Sequence, residues 1–243
     1  MKRTLVTAAM LFASLAWADI GKVTVVEGAA SRTPKGGKAE ALKVGSSIEL
    51  GDTLEVASGN LKLQLTDESV IMLGEKSKLE ITEAEFEGQE RKGFSALLLG
   101  GSLWTKVKKA LGGAKYEVKT ERAVAGVRGT IFRIDADQLV KAAKAGGKAR
   151  TASVVRVVDG VVNVRPTDAV IKASKGQKAA PKPKGPRVQV AGPQEVSADE
   201  WEKRFVDLQK NSQVVVGVDL WEQAEFEQSA KADAFAKWIE KNQ

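Results

Sequence analysis

Neither cysteine nor histidine occurs anywhere in the 243 residues, and each absence excludes chemistry. Without cysteine there is no disulfide staple, no lipid-modified N-terminal thiol and no iron–sulfur cluster, so burial must carry the stability of the fold. Without histidine the Ser-His-Asp and Cys-His pairs, the common zinc ligand sets and haem ligation fall away, along with the side chain best matched to proton transfer near neutral pH. Carboxylate or Ser-Lys chemistry survives. The nearest set of acids is Glu83, Glu85 and Glu87, which alternation puts on one side of an extended segment. No Asp-x-Asp-x-Asp-Gly calcium loop accompanies them, and they read as a solvated strand face. Gly100-Gly101 and Gly112-Gly113 lack the Lys-Ser/Thr of a phosphate loop. The residues offer no catalytic apparatus, and the chain reads as a binding or scaffold module rather than an enzyme, with no metal and no cofactor.

Aromatic residues are scarce too, at 5%. Nucleic-acid binding wants basic residues interleaved with aromatics on an ordered face, whereas the lysines here cluster at 141–150 (KAAKAGGKAR) and 172–187 (KASKGQKAAPKPKGPR), rich in Gly, Ala and Pro like solvated loops. No nucleic-acid partner is expected. Weak contact with anionic envelope polymers is compatible with the charge.

Long hydrophobic runs are missing as well. The one apolar stretch near the start, residues 5–15, follows Lys2 and Arg3 and is too short to span a bilayer as a helix. Ala16-Trp17-Ala18 places small residues where signal peptidase requires them, and Asp19 follows. Residues 1–18 are therefore expected to be a signal peptide cleaved after Ala18, leaving a mature chain that starts at Asp19, lies in the periplasm or is secreted, and has no transmembrane anchor. Its formal net charge of +7 would fall to +5 as Lys2 and Arg3 leave.

What is present is strand after short strand. Residues 22–27 (KVTVVE), 46–50 (SSIEL), 53–56 (TLEV), 61–65 (LKLQL) and 78–82 (KLEIT) alternate with period two, and turn formers separate them at 51–52, 58–60, 67–69 and 74–75. Leu61, Leu63 and Leu65 share one face and Lys62 and Gln64 the other, which predicts a sheet with one wet side. Residues 23–30 (VTVVEGAA) and 155–162 (VRVVDGVV) echo one another as strand, acid-Gly turn, strand, and are read as two similar hairpins. After about residue 193 the pattern changes. Ser197 and Glu200 form a capping box ahead of Trp201, Phe205 and Leu208 at helical spacing, and a last helix is expected from about Ser229, with Phe235, Trp238 and Ile239 on one side. Residues 214–216 between them suit a short strand or buried turn. The expected fold is mainly β, a β-solenoid-like or rolled antiparallel or mixed sheet core with two short C-terminal helices packed on it. Residues 19–192 would form the β domain and 193–243 a helical appendage.

The most distinctive stretch is 120–135, TERAVAGVRGTIFRID, a glycine-hinged corner feeding an alternating strand. Gly126 and Gly129 are read as supplying positive φ or close backbone approach, Arg128 as pointing out or bonding local carbonyls, and Val127 and Thr130 as completing a structural corner that could also contact a partner. With LGGSLWTKV and KYEVKT before it, VVRVVDGVVNV after it and GSSIELGDTLEVASGNLKLQLTDESVIMLGEKSKLEI upstream, the corner resembles the periplasmic FecR domain over roughly residues 44–164. The resemblance implies an all-β domain that binds protein partners, without cofactor or catalytic residues. Regulators of that family carry a cytoplasmic sigma-binding segment and a membrane helix ahead of this domain; here a cleavable signal is expected in that place, so the recognition role carries over rather than contact with a cytoplasmic sigma factor. A role in envelope signalling, recognising or scaffolding another cell-envelope protein, is the leading expectation. The alternative is a polysaccharide- or peptidoglycan-binding module, which would need an exposed aromatic platform, with Trp104, Tyr116 and Trp201 as candidates.

Overall fold

The computed structural model describes residues 19–109, 114–141, 149–175, 206–218, 220–225 and 233–243. The expected alternation is realised where it was clearest: Leu61, Leu63 and Leu65 are buried while Gln64 is exposed. Such strands join into one sheet that curls around a single apolar core.

Two long strands, β1 (Gly21–Thr33) and β4 (Thr53–Leu65), run antiparallel along their whole length and form the spine, edged by the short β2 (Glu40–Ala41) and β3 (Ser47–Ile48). The other edge of β4 changes partner part-way. Residues 53–56 pair with β6 (Ser77–Glu87) and residues 61–64 with β5 (Val70–Leu73). The change falls at Ser58-Gly59-Asn60, where Gly59 (φ +75°) lies opposite Gly28 (φ +84°) and a side chain on either would strike the backbone of the other strand. Both segments read as turns in sequence are therefore bends inside continuous strands.

Two arms of sheet leave β4. One runs through β6, β7 (Glu90–Gly100), β9 (Lys115–Lys119), β10 (Ala123–Val127), β13 (Val162–Pro166) and β14 (Val206–Leu208). The other runs through β5, β8 (Ser102–Lys106), β11 (Ile131–Lys141), β12 (Ala149–Asp159), β15 (Ser212–Gly217) and β16 (Leu220–Glu225). Among the described pairs β7 and β9 are parallel and the rest antiparallel. The arms close over Phe94, Val118 and Val164 from the first and Leu103, Ile134, Val155 and Val214 from the second. Polar bonds tie them through the interior: the Tyr116 hydroxyl lies 2.8 Å from Thr105 Oγ1, and Thr120 Oγ1 lies 2.8 Å from Ser153 Oγ. Arg91, wholly buried, pairs with buried Asp67, donates to Ser69 Oγ and the Lys108 carbonyl at 3.1 Å each, and sits 5.0 Å over the Tyr116 ring.

Helix α1 (Asp168–Lys175) follows β13 and buries Val170. Helix α2 (Ala234–Asn242) starts at the N-cap Asp233 and buries Phe235, Trp238 and Ile239, as the sequence pattern predicts. It covers part of the face of the second arm that points away from the core, so that face is not simply wet. No helix among the described residues is long and apolar enough to cross a membrane.

Several expectations are corrected. Of the two forms expected for the sheet, solenoid-like or rolled, the structure has the rolled mixed sheet. Residues 193–243 are not a helical appendage, because β14, β15 and β16 belong to the sheet, with 214–216 inside β15. Leu208, assigned to a helix, ends a strand, and residues 197–205 lie outside the described ones. Residues 172–175 of the second basic segment are helical, and Ala149 and Arg150 begin β12. Neither echo segment is a hairpin. Glu27-Gly28 lies within β1, and Asp159-Gly160 joins β12 to β13, which sit in different arms and do not pair. The acid-Gly signal marks a place where the chain can bend, whereas pairing depends on where the core draws the next strand.

Candidate functional site

Because β10 belongs to one arm and β11 to the other, residues 128–130 cross between them. The crossing lies beside residues 107–109, which follow β8, and residues 160–161, which join β12 to β13. Val107 N–H donates to the Thr130 carbonyl at 2.9 Å, and Thr130 Oγ1 donates to the Val161 carbonyl at 2.9 Å. Gly129 has φ +69°, and a β-carbon there would lie 2.8 Å from Lys109 Cβ. Gly160 has φ +86°, and a β-carbon there would lie 3.0 Å from Thr130 Oγ1. Positive φ and tight backbone packing both favour glycine at these two positions.

The five corner residues divide by environment. Val127 points into the core at 6% exposure and Thr130 is buried at 2%. Gly126 sits in register between Glu117 and Asn163 with ordinary φ, and a β-carbon there would meet nothing nearer than 3.9 Å, so the expectation of positive φ or close approach fails at that residue. Arg128 is exposed and makes no hydrogen bond or ion pair among the described residues, which resolves its two readings in favour of pointing out. The side chains of Lys106, at the end of β8, and Lys109 are exposed and likewise make no hydrogen bond or ion pair among the described residues, and Val161 is 42% exposed. The result is a basic rim with one apolar side chain on a frame of closely packed backbone. Of this rim, sequence reasoning singled out only Arg128; Lys109 and Val161 belong to neighbouring segments and carry no signature of their own.

Other candidates do not converge. Glu83 pairs with Lys115 at 2.7 Å and Glu87 with Lys92 at 3.1 Å, while Glu85 is exposed, and no cluster able to hold a metal ion occurs among the described residues. The aromatic platform loses two of its three members: Trp104 is 3% exposed under α2, and Tyr116 is 1% exposed against Phe94 at 4.8 Å. Trp201 lies outside the described residues, as do Ala16 and Ala18. Asp19 is described, and it accepts from Gly21 N–H at 3.2 Å and Ser47 Oγ at 3.0 Å at the head of β1. A buried cluster that sequence reasoning missed surrounds Asp135, which accepts from Ser102 Oγ and pairs with Arg133 and Arg156.

The FecR protein family model matches residues 52–163. The chain contains a FecR domain. The matched FecR residues start just before β4 and stop inside β13, so they include residues 107–109, 128–130 and 160–161 and leave β14–β16 and α2 outside. Two crystal structures of a candidate anti-sigma factor from Parabacteroides distasonis ATCC 8503, at 1.65 and 2.50 Å, are similar to the chain at 15% identity with a TM-score of 0.46. The alignment covers 72% of this chain and 60% of theirs, so the chain spans under two thirds of that protein. No curated protein matches.

Proposed function

We propose that this chain is an exported, non-enzymatic FecR-type module that recognises another protein of the cell envelope, in the service of envelope signalling, through the rim around Arg128. The observation that carries the reading is the state of Arg128. An arginine whose side chain bonds to nothing among the described residues adds little to folding, while its planar donor fork suits a carboxylate on another molecule. Lys106 and Lys109 give the rim one sign of charge and Val161 gives it an apolar anchor, so the partner would present an acidic segment beside an apolar side chain. The polymer-binding alternative has no exposed platform among the described aromatics to support it.

A photoreactive amino acid at position 128 tests this in cells producing the full chain, with the exposed position 85 as the control. Adducts with one envelope protein at 128, absent at 85 and weakened by Lys109→Glu, are expected; the same adducts at both positions would sink the reading. Export is checked separately. Protein recovered from the periplasm or medium should begin at Asp19, and a chain still beginning at Met1 would refute cleavage.

A further inference from the structure

Helix α2 is seated on a row of side chains that runs across the strands. Val25, Lys62, Met72, Trp104 and Arg133 lie in mutual register on β1, β4, β5, β8 and β11, and their side chains form the floor under Phe235, Trp238 and Ile239 with Val70 and Ile131. Gly74 leaves room for Phe235, since a β-carbon there would lie 3.2 Å from the ring. Each end of the helix meets a cation. Arg133 grips the N-cap Asp233 with two bonds of 2.7 and 3.0 Å while stacking 5.2 Å from the Phe235 ring, and Lys62 Nζ donates to the Asn242 carbonyl at the other end. The spacing fits the occupant. Lys62 and Arg133 stand three inter-strand steps apart, about 14 Å, and a nine-residue helix is about 14 Å long. A carboxylate cap at one terminus and a cation at the carbonyl terminus also give the helix dipole the sign it prefers.

The seat is better built than its occupant. A helix this short has no stability of its own in water, so α2 forms only as it docks. The indole Nε1 groups of both Trp104 and Trp238 are buried in the contact without a hydrogen-bond partner, which weakens it. Residues 226–232 lie between β16 and the helix in sequence, so docking of the helix is an intramolecular event governed by effective concentration.

We propose that the row is a helix-binding cradle that α2 occupies in cis and yields to a helix of a partner protein. The cradle selects a carboxylate cap, an aromatic two residues after it, an aromatic and an aliphatic residue five and six after it, and a polar side chain able to accept from the indoles. Lys106 of the rim borders the floor at Val70 and Ile131, but the cradle grips α2 through Lys62 and Arg133 and α2 lies outside the FecR match, so the two proposals rest on different residues.

Hydrogen exchange on the full chain and binding of a fluorescent peptide with the sequence of residues 230–243 test it together. Amides of residues 234–242 should exchange at least tenfold faster than those of β8 and β11. The peptide should bind the Asp233→Lys chain at least tenfold more tightly than the parent, whose own helix blocks the seat, and Arg133→Glu should abolish binding. Exchange of the β8 and β11 amides in each variant verifies that the sheet remains folded, and Phe235→Ser provides a second way to empty the seat. Helix amides as protected as the sheet, or equal peptide binding by the parent and both emptied chains, would overturn the proposal. A concentration-dependent dimer of the parent, lost on Arg133→Glu, would overturn the separate partner in favour of a second copy of the chain.

Discussion

Gly129 and Gly160 meet where two crossings run side by side: a β-carbon on Gly160 would lie 3.2 Å from the Gly129 carbonyl oxygen, and both residues have positive φ. Gly129→Val imposes a strained φ and a collision with Lys109, at about 1–2 kcal/mol for the φ alone. About 1 kcal/mol moves the melting temperature of a domain this size by roughly 2–4 °C, so a drop of several degrees is expected in a thermal melt. Arg128→Ala should leave the melt within about 0.5 kcal/mol of the parent, as for a free surface residue. If Arg128→Ala destabilises as much as Gly129→Val, Arg128 is part of the frame and the recognition reading loses its support.

Arg91 and Asp67 form a buried pair, and removing one partner strands the other charge. Asp67→Ala should cost about 3–5 kcal/mol in urea unfolding. Replacing both together, as Asp67→Leu with Arg91→Met, should cost less than Asp67→Ala alone, because no charge is left buried. A single variant within about 1 kcal/mol of the parent would contradict this account.

Tyr116 is the sole tyrosine, which makes its ionisation directly readable. Burial pushes its pKa up, against smaller opposing effects of the Thr105 hydrogen bond and the Arg91 charge. The folded state therefore holds the phenol proton more tightly than the unfolded chain. The associated stability is complete below the ordinary value of about 10 and is lost as pH rises above it. Absorbance at 295 nm should show no tyrosinate until the chain unfolds in alkali. A midpoint near pH 10 with circular dichroism unchanged would show that the phenol is not sealed in.

Asp233 behaves with the opposite sign. Partial burial disfavours its charge, but the hydrogen bonds from Arg133 and from Ala236 N–H outweigh that and lower its pKa below 3.8. Its contribution to seating α2 is complete above that ordinary value and fades as the pH falls through the lower folded one. Tryptophan fluorescence should report loosening of the helix only below the ordinary carboxylate value of 3.8 and before the sheet unfolds, and Asp233→Asn should remove that step. An acid transition identical in parent and variant would mean that the cap does not hold the helix.

Legibility in the sequence followed the range of the interactions. Leu61, Leu63 and Leu65, and likewise Phe235, Trp238 and Ile239, disclose their elements because period and face are local properties. The bend at Gly28 and Gly59 was hidden, because two turn-like signals cancel only when it is known that they lie opposite one another. Trp104 looked available because Leu103 and Thr105 take the inner face, and nothing within its own strand announces a helix 130 residues later that covers it. At the corner, the glycines and Arg128 were legible as a motif. The division into buried frame and outward arginine required the neighbouring segments.

Strands β14–β16 have a consequence for any attempt to isolate the recognisable part of the molecule. A fragment trimmed to residues 52–163 would discard β1, the partner along the whole of β4, and Leu208, Val214 and Val216 from the core, and would bare the backbone of β12 and β13 as open borders. Unpaired strand borders recruit other chains. Such a fragment would be an aggregation-prone half-shell, so the boundary legible from family likeness is not a boundary at which the polypeptide can be divided.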